Sequence, residues 1–188
     1  MVEQPDQGEP SDEAGPAAIE AVQRRLEELS GTVPPETMAV RCLHWGVDME
    51  GAGQFELACA FYSKGISLDP GNSDVRYFLN NNLGYSLNQL GRFADGEPYC
   101  RAAIEIDAAR HNAYKNLGVS LTGQKRYAEA AVPFVQAARA CPADRRALLC
   151  LERLVSEVPE VLSLVPDLRS RIEECRDLEQ KSSSPSQN

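Results

Sequence analysis

The sequence predicts an all-α protein made of repeated helical hairpins, and two observations carry that prediction. The pairs Leu83-Gly84 and Leu117-Gly118 lie 34 residues apart, each inside a helical pattern of apolar residues. A fixed period of that length is typical of solenoids, in which each hairpin buries its face only against its neighbours. The 188 residues are 43% hydrophobic and 25% charged, which is ordinary for a globular chain. We therefore expect one short repeat array with a tail at each end.

Residues 1–16 are predicted to be a disordered acidic tail, because they are rich in Pro, Gly and acidic residues and poor in large apolar ones. Six acidic residues precede Arg24, the first basic residue, so most of the net charge of −9 lies at this end. The tail is expected to be solvated or, as the alternative, to fold over a basic or polar surface of the array. The acidic excess argues against a nucleic-acid partner, since phosphate binding needs clustered Lys and Arg.

Residues 17–31 form a predicted N-terminal helix, in which Ile19, Val22, Leu26 and Leu29 recur on one face. Gly31 ends this helix. A second helix is expected to begin at Pro35, because proline is tolerated in the first helical turn.

An array is predicted over residues 36–158, with repeats at about 39–72, 73–110 and 111–144. The repeats share a large residue before a glycine, further large residues, a small residue in the second helix and, in two of them, a closing proline. In the third repeat these are Leu117-Gly118, Leu121, Ala130, Phe134 and Pro142. Glycine and alanine at these points allow two helices to approach closely.

This spacing resembles the tetratricopeptide repeat over about residues 39 to 142. The resemblance implies a right-handed superhelix of antiparallel helical hairpins, an α-α superhelix, whose first helices line a concave face. It also implies a non-enzymatic protein-interaction module.

Two departures from the repeat pattern predict local differences. Trp45 and Leu83 lie 38 residues apart, four more than one repeat, so we expect a longer helix from about Ser73 to Leu90. Pro98 and Pro133 fall inside second helices, where we expect local irregularity because each removes a backbone hydrogen bond.

The end of the chain is predicted to cover the last repeat. A capping helix is expected over residues 144–157, with Asp144 at its N-cap, because open arrays need a polar end. A C-terminal helix is expected over residues 159–180, broken or kinked at Pro166. Residues 181–188 are predicted to be a disordered tail.

The inventory of reactive residues predicts neither an enzyme nor a metal or cofactor site. Only two histidines are present, His44 and His111, and no Cys-x-x-Cys pair occurs. The six cysteines are interpreted as small buried residues in a reducing compartment, which predicts a cytoplasmic protein. No apolar run is long enough for a membrane span, so no membrane association is expected.

A candidate groove is predicted from the first helix of each repeat. Residues three or four apart share a face, so the positions that do not pack inside the hairpin form a second face on that helix. The residues that remain are predicted to bind a peptide: Phe78, Asn81, Asn82, Tyr85, Asn88, Asn112, Lys115, Asn116, Val119 and His44. An amide offers one acceptor and two donors and can therefore engage a peptide backbone.

Asn82 and Asn116 are equivalent positions, each two residues before the repeat glycine. They are similar to the asparagine ladder in the repeat domain of O-GlcNAc transferase, and that resemblance implies contact with a peptide backbone. The alternative is that these amides bond across adjacent helices or to water. Phe78 and Tyr85 are either anchors for partner side chains or residues that pack under the preceding repeat.

A second family comparison gives a negative expectation. Tetratricopeptide co-chaperones that hold a C-terminal carboxylate use Lys, Asn and Arg at five positions of their first helices. Those positions here hold Leu43, Val47, Asn82, Asn112 and Asn116, of which only Asn82 agrees. The missing cations argue against a carboxylate clamp.

Three functional interpretations remain open. The leading one is a module that binds an extended peptide or a partner helix in the concave groove. The second resembles the three-repeat chaperones of type III secretion, which have a helix before the repeats and self-associate, and it implies a homo-oligomer. The third is a structural assembly subunit joined through the C-terminal helix.

Overall fold

A computed structural model describes residues 15–183. Within that range α-helices are the only regular secondary structure, which confirms the predicted all-α fold class. The helices are α1 (Pro16–Ser30), α2 (Pro35–Gly51), α3 (Phe55–Ser67), α4 (Ser73–Gln89), α5 (Phe93–Ile106), α6 (His111–Gly123), α7 (Tyr127–Ala140), α8 (Arg146–Glu157), α9 (Val161–Leu164) and α10 (Leu168–Ser183).

Helices α2–α3, α4–α5 and α6–α7 form three successive antiparallel hairpins, and α8 packs after them against α7. The repeat glycines explain how closely the two helices of a hairpin approach. A Cβ atom added to Gly46 would lie 2.3 Å from the Tyr62 ring, and one added to Gly118 would lie 2.5 Å from the Phe134 ring. Both distances are far below van der Waals contact, so glycine is required at these crossings.

The turn inside each hairpin is also repeated. Gly53 and Gly91 have positive φ angles of 76° and 70°, in the left-handed region that glycine enters without steric cost. Lys125 occupies the corresponding position of the third hairpin with a φ of 61°. The same turn therefore forms in all three repeats, although the third repeat lacks the glycine.

Helix α4 begins at Ser73 and ends at Gln89, so the longer helix predicted between about Ser73 and Leu90 is present. The Asn72 side chain caps it by accepting hydrogen bonds from the backbone N–H groups of Asp74 and Val75. In contrast, Pro98 and Pro133 do not break their helices. Both α5 and α7 continue through the proline.

The ends of the array are covered by additional helices. Leu26 of α1 is buried, and Trp45 and Phe61 pack in the same apolar cluster. At the other end, α10 packs against α7 and α8 through Leu168, Ile172 and Cys175. The predicted capping helix is α8, and its first backbone N–H, that of Arg146, donates to the Asp144 side chain.

The predicted C-terminal helix is divided in two, because the chain leaves the helical conformation between Leu164 and Leu168, around Pro166. Helix α10 then continues to Ser183, three residues into the segment predicted to be disordered. The predictions for residues 1–14 and 184–188 lie outside the described residues. No helix between residues 15 and 183 combines the length and apolar character needed to cross a membrane.

Candidate functional site

The first helices of the repeats lie side by side, in the order α2, α4, α6, α8. In a superhelix of this kind they form the inner, concave face. All the residues predicted to bind a peptide lie on three of these helices: His44 on α2, the five α4 residues from Phe78 to Asn88, and the four α6 residues from Asn112 to Val119.

A cavity of about 370 Å³ opens between α4, α6 and α8 on this face. We call it the α4/α6/α8 pocket. Its lining includes five of the predicted residues, Gln89 of the same α4 face, and three residues of α8 that were not predicted: Tyr85, Asn88, Lys115, Asn116 and Val119, then Gln89, then Arg146, Leu149 and Cys150. The structure therefore brings half of the predicted set to one pocket.

Three of the predicted amides are buried and bonded to one another, which corrects the expectation that packing leaves them on the surface. Asn116 is 3% exposed, and its Nδ2 atom donates to Asn81 Oδ1 at 3.1 Å and to the Asn81 carbonyl at 3.4 Å. Asn88 Nδ2 donates to the Asn116 carbonyl at 2.9 Å. A buried amide needs such partners, and these bonds join α4 to α6.

Asn88 also accepts a hydrogen bond from a serine hydroxyl, and an equivalent hydrogen bond occurs one repeat earlier. Ser120 Oγ donates to Asn88 Oδ1 at 2.8 Å, and Ser86 Oγ donates to Glu50 Oε2 at 3.4 Å. Each serine lies two residues after a repeat glycine, and each acceptor lies four residues after the glycine of the preceding repeat. The same inter-repeat bond is therefore made twice, and it orients the neighbouring first helices.

Asn82 differs from its equivalent Asn116 because it is only half-buried. Its Oδ1 atom accepts a bond of 2.9 Å from Asn81, and its Nδ2 atom lies 3.5 Å from the Tyr62 hydroxyl. The Tyr62 hydroxyl in turn donates to Glu50 at 3.0 Å, and burial raises the pKa of Glu50. Of the two positions in the proposed ladder, Asn82 alone keeps an accessible amide.

Lys115 enters the pocket from α6, and its Nζ atom lies 5.9 Å from the centre of the Tyr85 ring. Burial, and then the neighbouring Arg146, lower the pKa of Lys115. Throughout residues 15–183, no carboxylate oxygen lies within 4.0 Å of its ammonium group.

Arg146 enters the same pocket from the first turn of α8. Its Nη2 atom donates to Asp144 Oδ2 at 2.6 Å and to Asn112 Oδ1 at 3.2 Å. His111 Nε2 also lies 2.8 Å from Asp144 Oδ2. The hydrogen bonds from Arg146 hold the pKa of Asp144 well below its usual range, so this carboxylate stays charged and fixes the guanidinium.

Phe78 and His44 lie outside the pocket. The Phe78 side chain is 41% exposed, and its ring packs edge-on against Tyr77 with a centroid distance of 5.4 Å. The Arg110 guanidinium lies 4.9 Å from the Phe78 ring centre. His44 is exposed on α2. Both residues remain accessible, and their role in binding stays a prediction.

The three residues that were not predicted, Arg146, Leu149 and Cys150, are ones that the repeat period itself would have found. Asn112 and Arg146 lie 34 residues apart, and the same step leads from Lys115 to Leu149 and from Asn116 to Cys150. Helix α8 therefore presents the same register positions as α6. Because α8 lacks the Leu-Gly pair, it is predicted from sequence only as a cap and not as part of the groove.

Nowhere between residues 15 and 183 do three or more His, Cys, Asp or Glu side chains converge as a metal site would require. All six cysteines are unpaired, and burial raises the pKa of Cys100 to about 12, which keeps its thiol protonated.

Comparison with known proteins agrees with this architecture. Residues 79–110, from the middle of α4 to the start of α6, match the family model of the tetratricopeptide repeat. The matched segment is therefore a tetratricopeptide repeat, as the sequence pattern predicts. No curated protein sequence matches the chain.

Solved structures of tetratricopeptide domains share the fold. The OM64 domain of Arabidopsis is 24% identical, with a TM-score of 0.60, and covers 66% of this chain and 99% of its own. The second such domain of human RPAP3, solved in complex with the HSP70 peptide SGPTIEEVD, is 22% identical, with a TM-score of 0.58 and coverages of 64% and 97%. MamA from Desulfovibrio magneticus RS-1 is 16% identical, with a TM-score of 0.63 and 89% of each chain covered.

Proposed function

We propose that this protein is a non-enzymatic interaction module whose concave face binds an extended peptide or a helix of a partner protein. The α4/α6/α8 pocket carries the proposal, because it combines exposed apolar side chains with polar groups in a groove between adjacent first helices. The RPAP3 domain, which has the same fold, is solved in complex with a peptide.

The accessible part of the predicted site is narrower than the sequence suggests. Asn81, Asn88 and Asn116 use their side chains within the array, so we assign them to holding the helices in register. Asn82 and Tyr85 remain available to a peptide on α4. On α6 and α8, the residues proposed to contact the peptide are those that line the pocket.

A blocking substitution with a matched control tests the proposal. Val119 lines the pocket and is half-buried, so Val119→Arg would fill the groove with a long charged side chain. Val132→Arg makes the same change at an exposed valine of α7, outside the groove. Random twelve-residue peptides displayed on phage are selected against the wild-type chain, and their affinities for both variants are measured.

We expect the selected peptides to lose binding to Val119→Arg by at least about tenfold and to bind Val132→Arg as they bind wild type. Equal affinity for all three proteins would show that the peptides bind elsewhere and would reject the groove. Circular dichroism and urea unfolding establish that both variants are folded before binding is compared.

A cytosolic location and the absence of nucleic-acid binding remain part of this proposal. The unpaired state of the six cysteines supports the first and the acidic net charge of −9 supports the second. Self-association also stays a prediction, and sedimentation equilibrium over a wide concentration range tests it.

A further inference from the structure

The α4/α6/α8 pocket contains two cations that are incompletely matched by the chain's own carboxylates. Asp144 contacts Arg146 but does not lie within 4.0 Å of Lys115. Asp144 and Glu50 both interact with Lys115 only at longer range, without a salt bridge. Two cations therefore share one contacting carboxylate, in a chain whose net charge is −9. Such a pair attracts an anionic group from outside the chain.

The two cations are held differently, and both are accessible from the pocket. The Arg146 side chain is 62% exposed although Asp144 and Asn112 fix one edge of its guanidinium. The Lys115 ammonium is half-buried and contacts an aromatic ring in place of a carboxylate. An incoming anion would offset the desolvation of Lys115 without having to displace an existing ion pair.

The asparagine amides of the pocket do not add free donors. The Nδ2 groups of Asn88 and Asn116 donate to groups of the neighbouring helix. Gln89, which is exposed, adds one neutral amide to the lining. A terminal carboxylate is held most firmly by several donors arranged around it, whereas a side-chain carboxylate needs one or two charged partners. The charged donors of the pocket, Lys115 and Arg146, therefore favour an acidic side chain within a peptide.

Apolar surface borders the cations. Leu149 is 51% exposed at the wall of the pocket, beside Val119 and Cys150. A second cavity of about 230 Å³ shares Val119 and Cys150 and is lined further by apolar groups that include Phe93 and Leu154. A residue next to the acidic one would bury an apolar side chain on this surface.

We infer that the α4/α6/α8 pocket is the subsite for an aspartate or glutamate side chain of a partner peptide, paired with Lys115 and Arg146, with an apolar residue of the peptide beside it. This inference rests on the proposed function and names its ligand class. It extends the binding groove onto α8 and makes the capping helix part of the recognition surface.

The probe is the synthetic peptide SGPTIEEVD, which carries both acidic and apolar residues, and its binding to the full chain is measured by fluorescence polarisation. Three forms are compared: the free acid, the C-terminal amide, and a form whose three acidic residues are replaced by Gln, Gln and Asn. Lys115→Gln and Arg146→Gln are the test variants. Arg101→Gln, which removes one exposed positive charge from α5, is the matched control.

We expect the amide to bind within about twofold of the free acid and the neutral form to bind at least about tenfold more weakly. Lys115→Gln and Arg146→Gln are each expected to weaken binding about tenfold, and Arg101→Gln to leave it unchanged. Equal binding of the neutral form, or equal binding to the test variants, would overturn the inference. Loss of binding on amidation would also overturn it, because the terminal carboxylate would then be the ligand.

Two further results separate the possible failures. If phage-selected peptides bind in a Val119-dependent way and the acidic probe does not bind, the groove function stands and the acidic subsite is rejected. The alternative occupant of the pocket is the acidic segment at positions 1–14 of the chain itself. If changing the five acidic residues of positions 1–14 to amides raises probe affinity tenfold or more, that segment competes for the pocket, and the inference that the pocket is reserved for a partner peptide is overturned.

Discussion

Asn116→Ala provides the sharpest test of whether the buried amides hold the array together. The substitution removes the donor that bonds to Asn81 Oδ1 at 3.1 Å, and that acceptor belongs to a residue only 8% exposed. A lost hydrogen bond costs about 1 kcal/mol net, and leaving a buried acceptor unpaired adds about 1–2 kcal/mol. We therefore expect the free energy of unfolding to fall by about 2–3 kcal/mol, measured by urea denaturation with far-ultraviolet circular dichroism.

The equivalent substitution in the preceding repeat is the control. Asn82 is half-buried, so water can replace the 2.9 Å bond that its Oδ1 atom accepts from Asn81, and its bond to Tyr62 is long at 3.5 Å; Asn82→Ala should therefore cost about 1 kcal/mol, less than Asn116→Ala. The double variant Asn81→Ala/Asn116→Ala should lose less stability than the sum of the losses in the two single variants, because both substitutions remove the same hydrogen bond. If Asn116→Ala changed stability by less than about 0.5 kcal/mol, the structural assignment of this amide would be refuted.

Two other predictions concern packing and pH. Gly118→Ala should lower the free energy of unfolding by about 1–3 kcal/mol, because the new methyl group would overlap the buried Phe134 ring. Gly51→Ala, at a helical position with open space around it, should raise the free energy of unfolding by about 0.5–1 kcal/mol. Urea unfolding compares the two variants, and equal effects would contradict the close helix crossing at Gly118. Asp144→Asn should lower the free energy of unfolding at pH 7 by about 1–2 kcal/mol. Because contact with Arg146 depresses the pKa of Asp144 in the folded state, this difference should shrink as the pH falls below about 4; a constant difference would show that the charge of Asp144 does not matter.

The helical hairpins were predictable because their signals are local and repeated. A glycine after a large apolar residue marks the same close crossing at Gly46 and Gly118, and a four-residue excess marks the longer α4. Helices α5 and α7 continue through Pro98 and Pro133, although proline lacks the backbone N–H of an ordinary helical residue.

The candidate site was only partly predictable. The pattern of one helix shows which residues do not pack inside its own hairpin, but it does not show which of them the next first helix buries. Asn81, Asn88 and Asn116 lie on the face that packing within one hairpin leaves free, yet the adjacent first helix buries them. Conversely, Arg146 and Leu149 were missed because α8 lacks the Leu-Gly pair, although the 34-residue step from α6 leads to them.

The sequence by itself determined the period, the helical hairpins and the helices whose residues face the groove, because these depend on spacing along the chain. The tertiary structure decided which amides are used between helices and which cations remain unmatched, because burial and pairing depend on neighbours 28 or more residues away. The surplus of Lys115 and Arg146 over nearby carboxylates appears only when α4, α6 and α8 are placed side by side.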